Sequence, residues 1–192
     1  MNPLYVAARE LASAQAPSEA AEKSVRLEKI VASLFDSLRD PVYRYLYRLI
    51  GDRNEAEDLV QEAFLRLYIY LDEGNRPENA RAWVLRVAHN LAVDQQRKKN
   101  PIAFGHGSGW VWIAEHQIDP APDPEQHFLQ LERRQRVRRS LIRLSPQEQH
   151  CLDLRTEGLC YREIAEVLGI RPVTVVTFLR RAIQKIIRET HE

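Results

Sequence analysis

The segment RAWVLRVAHNLAVDQQRKK, which starts at Arg81, combines one aromatic side chain with polar and basic ones at helical spacing. The residues concerned are Trp83, Arg86, His89, Asn90, Asp94, Arg97 and Lys98. An aromatic ring that stacks on an unpaired base, with cations that contact phosphates, is the chemistry that single-stranded nucleic acid requires. Trp83 also fits a packing role, because its neighbours Val84 and Val87 belong to an apolar stripe. His89 is not expected to bind a metal ion, because no second His or Cys stands at ligand spacing.

A second segment, DRNEAEDLVQEAFLRLY, starts at Asp52 and concentrates carboxylates on one helix. Its polar residues are Glu55, Glu57, Asp58, Gln61 and Glu62. Phe64 and Leu67 are expected to face the domain core instead. A carboxylate face can steer a basic partner surface into register. By itself, the cluster is better explained as a solvated helix face.

The C-terminal segment GLCYREIAEVLGIRPVTVVTFLRRAIQKI has the outline of a helix-turn-helix. Gly169 suits the turn, because glycine tolerates a left-handed backbone, and Pro172 suits the first turn of the next helix. The expected buried stripe of that helix consists of Val175, Leu179, Ala182 and Ile186. This geometry places a second helix in the major groove of DNA. An ordinary helical hairpin remains the alternative interpretation.

The outward face of this last helix is unusually apolar for a DNA-reading helix, because it carries Val176, with Phe178 at the border of the buried stripe. The hydroxyl and basic residues expected to contact DNA are Arg171, Thr174, Thr177, Arg180, Arg181 and Lys185. Few of them offer bidentate base contacts, so base reading should be weak and phosphate anchoring should dominate.

Apolar residues recur at helical spacing almost everywhere and strand signals are nearly absent, so the expected fold class is all-α. Residues 27–99 and 128–192 read as two small helical domains, and residues 1–26 as an N-terminal extension. Glycines and prolines interrupt the pattern at 100–127, which predicts a flexible linker. Asp52 or Asn54 is the expected cap of one helix, and Ser145 with Pro146 that of another.

Bulk properties exclude several classes of protein. The net charge of +1 over 192 residues shows no overall preference for a polyanion, so evidence for a nucleic-acid partner must come from the distribution of charge along the chain. Cys151 and Cys160 are no disulfide framework. No apolar run reaches membrane-spanning length and no signal peptide is recognisable, so a cytoplasmic protein is expected. No phosphate loop, nucleophile–base pair or metal spacing is present, so neither enzymatic activity nor a cofactor is expected.

Taken in order, the acidic segment and the Trp83 segment resemble conserved region two of bacterial sigma-70 family sigma factors of the extracytoplasmic-function (ECF) group. The C-terminal segment resembles region four of the same group, and the likeness extends from Leu27 to Arg188. It implies a region two helical bundle and a region four helix-turn-helix, in a factor that binds core RNA polymerase and directs promoter-specific initiation.

The same resemblance implies a role for each segment. The acidic helix is expected to dock on the clamp helices of the largest polymerase subunit. The Trp83 helix and the loop 72–80 before it are expected to capture the unpaired strand of the start-proximal promoter element. Region four is expected to contact the polymerase flap and the upstream element. An inhibitory anti-sigma factor is a further possible partner, while a membrane and a small-molecule substrate are not expected.

Two other classes of protein compete with this interpretation. A conventional helix-turn-helix regulator would account for the last third of the chain only, and it needs no acidic docking helix. A sigma-like interaction protein that titrates an anti-sigma factor would share both regions but would not support transcription. The departure from the family at Val176 and Phe178, where basic residues are usual, leaves two hypotheses: the remaining polar residues suffice for DNA, or the apolar patch binds a protein.

Overall fold

The protein is described here by a computed structural model that covers residues 19–99 and 139–191. Its six helices of eight residues or more are α1 (Glu19–Ile50), α2 (Arg53–Asp72), α3 (Ala80–Lys99), α4 (Pro146–Thr156), α5 (Tyr161–Leu168) and α6 (Pro172–His191). We call α1–α3 the N-terminal unit and α4–α6 the C-terminal unit. Over the described ranges the fold is helical, as the apolar spacing predicts. The expected linker at 100–127 lies outside them.

The first helix is longer than the sequence pattern indicates. It runs without a break over 32 residues and contains Pro41 in its interior. The expected start of the first domain at residue 27 therefore falls inside a helix, and Leu27 is already buried. Most of the residues before Pro41 are exposed, whereas Val42, Tyr45, Leu46 and Leu49, which recur at helical spacing in the sequence, are buried. The polar first half of α1 gives no apolar periodicity, so its helical state could not be read from spacing.

A tight turn connects α1 to α2. Gly51 has φ 82°, the left-handed conformation that glycine adopts without strain. Asp52, rather than Asn54, caps α2: its side chain accepts a hydrogen bond of 2.9 Å from the backbone N–H of Glu55. This turn places α2 against α1, where Phe35 and Phe64 meet edge to face with ring centroids 4.9 Å apart.

The core of the N-terminal unit lies between α1, α2 and α3. Phe64 and Leu67 of α2 are buried as predicted, together with Ala63 and Leu71, which recur at the same helical spacing. Apolar spacing predicts that the buried stripe of α3 consists of Trp83, Val84, Val87, Ala88, Leu91 and Val93. Of these, only Val84 and Ala88 are fully buried and the others are partly covered, whereas Leu85 and Ala92 are buried as well. The buried face of α3 is therefore rotated relative to the predicted stripe.

The C-terminal unit confirms the predicted helix start at Ser145. The Ser145 side chain accepts from the Glu148 N–H, the Glu148 carboxylate accepts from the Ser145 N–H, and Pro146 stands at the first helical position. Gly169 has φ 65° and forms the turn between α5 and α6. On α6 the predicted stripe is buried at Val175, Leu179 and Ala182 and partly buried at Ile186.

The two units pack against each other. A single continuous cluster of buried apolar residues contains Val84 and Leu85 of α3 together with Ile164 and Val167 of α5. The sequence predicts two loosely tethered domains, and this close packing is the main difference. Apolar spacing marks which face of a helix is buried, but it does not say whether the covering surface belongs to the same domain. Among the described helices, none is both long and apolar enough to cross a membrane.

Candidate functional site

The carboxylate face of α2 points to solvent. Glu57, Asp58 and Gln61 are exposed and Glu62 is half-buried. Glu62 is paired with Arg66 one turn later, at 2.8 Å. Glu55 differs, because its carboxylate bonds the Gln95 side chain at 2.9 Å and the Lys99 ammonium of α3. The acidic face therefore centres on Asp58, and Glu55 joins α2 to α3.

Two exposed apolar residues, which were not predicted from the sequence, extend this face. Leu65 and Ile69 are 54% and 49% exposed. Together with Asp58 and Glu62 they follow spacings of four, three and four residues, which places all four on one side of a helix. The same spacing is visible in the sequence, but neither Leu65 nor Ile69 was assigned to the core stripe or to a surface. We call Asp58, Glu62, Leu65 and Ile69 the α2 stripe.

Trp83 has a ring partner on α2. The Trp83 and Tyr70 rings are 4.9 Å apart between centroids and tilted by 31°, and Trp83 is half-buried. The packing role and the stacking role proposed for Trp83 are therefore compatible, since one part of the indole packs on Tyr70 and the rest remains accessible.

Most of the other α3 candidates are exposed. Asn90, Asp94, Arg97 and Lys98 lie on the surface. Arg97 bonds Asp94 at 2.7 Å, one turn back on the helix. At 100° per residue, Trp83, Asn90, Asp94 and Arg97 share one side of α3. That side can follow a single strand, with a ring at one end and cations at the other.

His89 does not lie on this side. It stands about 120° round the helix from Trp83 and faces the C-terminal unit. Its Nδ1 lies 2.7 Å from the Tyr45 hydroxyl, and its ring meets His150 of α4 edge to face, with centroids 5.2 Å apart. Arg86 also faces this unit, with Glu166 at 3.7 Å. The structure thus divides the predicted set into a group on the accessible side of α3 and a second group, His89 and Arg86, that faces α4 and α5.

Burial keeps both histidines neutral. It lowers the pKa of His89 to about 3, with a contribution from the neighbouring His150, and it lowers the pKa of His150 to about 4. Among the described residues, no group of three or more His, Cys, Asp or Glu side chains is arranged to bind a metal ion. The histidine pair is therefore a packing contact that requires the uncharged form.

The histidine pair predicts loss of stability in mild acid. Because the pKa of each histidine is lower in the folded protein, the neutral pair contributes its full stabilisation only above the unfolded-state pKa of about 6.5. This stabilisation is lost as the pH falls from about 6.5 toward the folded-state pKa values. Between about pH 7.5 and about pH 5 we expect a loss of about 2 to 4 kcal/mol. Thermal unfolding at the two pH values measures it.

Two variants separate this contact from general acid effects. His150→Gln should reduce the difference in stability between the two pH values, whereas Glu28→Gln, which removes an exposed charged side chain of α1, should leave it unchanged. An undiminished pH dependence in His150→Gln would show that the pair is not responsible.

The outward face of α6 presents the predicted polar residues and the apolar ones side by side. Arg171, Thr177, Arg180 and Arg181 are exposed and Thr174 is half-buried. Val173 and Val176 are 68% and 44% exposed. Phe178 is partly buried against the core, as expected for a residue at the border of the stripe. Val176, Thr177, Arg180, Arg181 and Gln184 line a shallow depression of about 290 Å³.

Lys185 has a structural partner. Its ammonium lies 2.6 Å from the Glu148 carboxylate of the α4 capping box and 3.3 Å from the Arg143 carbonyl oxygen. It therefore connects α6 to the start of α4. Sequence spacing alone does not reveal this, because Glu148 is 37 residues away.

Comparisons with known protein families match both halves of the chain. Residues 34–102 match sigma-70 region 2 and residues 134–186 match sigma-70 region 4. The chain is 29% identical to the ECF RNA polymerase sigma factor SigW of Bacillus subtilis over 166 residues, which cover 82% of this chain and 89% of SigW. It is 31% identical to the ECF sigma factor SigE of Mycolicibacterium smegmatis over 77% of this chain and 56% of that protein.

A solved structure shares the fold. The sigma factor RpoE of Bartonella quintana, determined in complex with the anti-sigma factor NepR, has a TM-score of 0.57 and 20% identity. The match covers 85% of this chain and 98% of that one. Two sigma-70 regions in the family order, together with relatives of one group along most of the chain, identify the protein: it belongs to the ECF group of the sigma-70 family of RNA polymerase sigma factors.

Proposed function

We propose that this alternative sigma factor binds core RNA polymerase through the α2 stripe, binds the melted promoter strand through the accessible side of α3, and docks α6 on the upstream promoter element. In this assignment residues 27–99 act as region two and residues 128–192 as region four. The observation that carries the proposal is the exposed α2 stripe on the same three-helix unit as the accessible side of α3.

The polymerase contact is supported by the composition of the α2 stripe. Asp58 and Glu62 supply charge, and Leu65 and Ile69 supply apolar area that solvent now covers. An interface with an apolar centre and a charged border is the usual form of a specific protein contact. Basic clamp helices would match the carboxylates, and the two aliphatic side chains would become buried on docking.

The strand contact is supported by the order of side chains along α3. Trp83 offers part of an indole face at one end, and Arg97 and Lys98 offer cations at the other. The separation of 14 residues between Trp83 and Arg97 corresponds to about 21 Å along a helix, which is enough to follow several nucleotides. The polymerase supplies the chemistry, while this chain supplies promoter selection and strand opening.

Run-off transcription with purified core RNA polymerase on a promoter library tests the proposal. We expect selective transcripts that depend on the added chain. Selective binding of duplex DNA by the chain alone, with no transcripts, would favour a helix-turn-helix regulator. Stable binding of an anti-sigma factor without transcripts would favour a titrating protein.

The apolar residues of α6 concern the upstream contact. Threonine hydroxyls and valine methyl groups can contact base edges and the thymine methyl group, and the three exposed arginines around them, Arg171, Arg180 and Arg181, can contact phosphates. We propose that these residues are sufficient for DNA docking. The alternative partner for Val173 and Val176 is an inhibitory protein such as an anti-sigma factor.

Val176→Lys separates the two roles. We expect DNA affinity to rise about threefold and its salt dependence to steepen by about one phosphate contact, because the added ammonium reaches the backbone. Titration of labelled promoter DNA at several salt concentrations measures both. Ile142→Lys, which also places a charge at an exposed apolar position, is the control. Unchanged DNA affinity together with lost inhibitor binding would assign the patch to a protein partner.

A further inference from the structure

The outward face of α6 exposes more apolar surface than its proposed DNA contacts use. Ile183 and Ile187 are each 50% exposed, and both follow the arginines of this helix. We call Val176, Arg180, Ile183 and Ile187 the α6 row. Their spacings of four, three and four residues place them within about 60° of each other on one side of the helix. Aliphatic side chains exposed side by side in this way indicate a surface that contacts another protein.

The α6 row has the same spacing as the α2 stripe. In both helices, spacings of four, three and four residues form a seam along which a second helix can pair. When the two helices run in parallel, three facing pairs match in chemistry: Glu62 with Arg180, Leu65 with Ile183, and Ile69 with Ile187. Asp58 and Val176 then meet at the end of the contact. The antiparallel arrangement would instead press the Glu62 carboxylate against Ile183, where it has no hydrogen-bond partner.

The charges of the two helices favour this pairing over the pairing of like with like. α2 contains five carboxylates and two basic side chains, whereas α6 contains four basic side chains and one carboxylate. Pairing α6 with its own copy would set basic groups against each other, and pairing α2 with its own copy would do the same with carboxylates. Leu65, Ile69, Ile183 and Ile187 are all exposed, so the two faces do not cover each other within one chain.

We propose that the α2 stripe of one copy of this chain docks in parallel on the α6 row of a second copy. With both faces of each copy engaged, the complex is a dimer that contains the contact twice. Each contact buries four half-exposed aliphatic side chains and joins Glu62 to Arg180 at its centre. The Arg66 side chain, which now pairs with Glu62 at 2.8 Å, lies one turn further along α2 and can share the same carboxylate.

Self-association has a consequence for the free factor. It covers the α2 stripe, which the proposed function assigns to core RNA polymerase, together with part of the α6 face assigned to DNA. Self-association and polymerase binding are therefore mutually exclusive, and core enzyme should dissociate the dimer by mass action. This consequence rests on the proposed function, whereas the contact between copies does not.

Sedimentation velocity of the free 192-residue chain measures the association. A contact between two pairs of helix faces is small, so we expect a monomer–dimer equilibrium with a Kd of about 10 µM, visible between about 1 and about 100 µM. A chain that stays monomeric over this range would overturn the proposal and leave the α6 row to a different protein.

A charge swap tests which faces meet. Glu62→Arg and Arg180→Glu each place like charges at the centre of both contacts, so each variant alone should associate at least about tenfold more weakly than the wild type. In an equimolar mixture of the two variants, both contacts again join one acidic and one basic side chain. The mixture should therefore associate within about threefold of the wild type. Failure of the mixture to associate, with both variants folded by circular dichroism, would overturn the pairing of α2 with α6.

Two further comparisons complete the test. Ile183→Ser removes apolar area without changing charge and should also weaken association about tenfold, since the seam is partly apolar. Glu28→Arg and Arg26→Glu make the same charge changes on exposed α1 and should associate like the wild type. Equal losses in these α1 variants would assign the association to net charge and overturn the contact. Because the samples contain neither polymerase nor DNA, failure of run-off transcription would count against the proposed function separately.

Discussion

Charge reversal at both Asp58 and Glu62, to lysine, should weaken association with core RNA polymerase by about 100-fold or more. Placing like charges opposite each other across an interface costs several kcal/mol, and here two reversed charges would face the basic clamp helices. Asp58 is exposed and Glu62 is paired with Arg66, one turn along α2, so the fold should tolerate both substitutions. Biolayer interferometry with immobilised core enzyme at low and moderate salt measures the affinity.

A matched control is available on α1. Glu22 and Glu28 are also exposed carboxylates, and their reversal to lysine changes the net charge equally while leaving α2 intact. That control should bind the core enzyme with nearly wild-type affinity. If the Asp58 and Glu62 variant bound as well as the control, while remaining folded by circular dichroism, the proposed polymerase contact would be wrong.

Replacing Trp83 with alanine should reduce open-complex formation by about 10- to 100-fold, the range expected when one base loses its aromatic stacking partner. The tryptophan lies 4.9 Å from Tyr70 between ring centroids, so the substitution also removes a packing contact. Permanganate footprinting of melted thymines, with core enzyme and promoter DNA, measures strand opening directly. Core binding measured in parallel should change little, because the α2 stripe is untouched.

Two conservative variants separate stacking from packing. Trp83→Phe retains a ring for a base and should keep most of the strand opening. Tyr70→Leu removes the ring partner inside the unit and should lower the melting temperature more than it lowers strand opening. Normal footprints with Trp83→Ala would limit the indole to a packing role.

The sequence predicted those features that depend on neighbouring residues. Asp52 and Ser145 cap their helices because a side chain reaches a backbone N–H three residues away, and Gly169 forms a turn because its own backbone permits it. The buried stripe of α6 follows from spacing alone. The exposed carboxylates of α2 were also predicted. In contrast, Leu65 and Ile69 were assigned to no surface, because the sequence alone does not show that an apolar side chain in a helix is exposed to solvent.

The family, the helical class and most candidate residues were thus determined by the sequence itself, since motifs, caps and periodicity are local in the chain. Tertiary structure alone decided which candidates are accessible. Lys185 is paired with Glu148, His89 is covered by His150, and Glu157 is shared by Arg44 and Arg48 across more than 100 residues of chain. Such pairings depend on how one helical unit packs on another, and charge and burial across that contact have no signature in residue spacing.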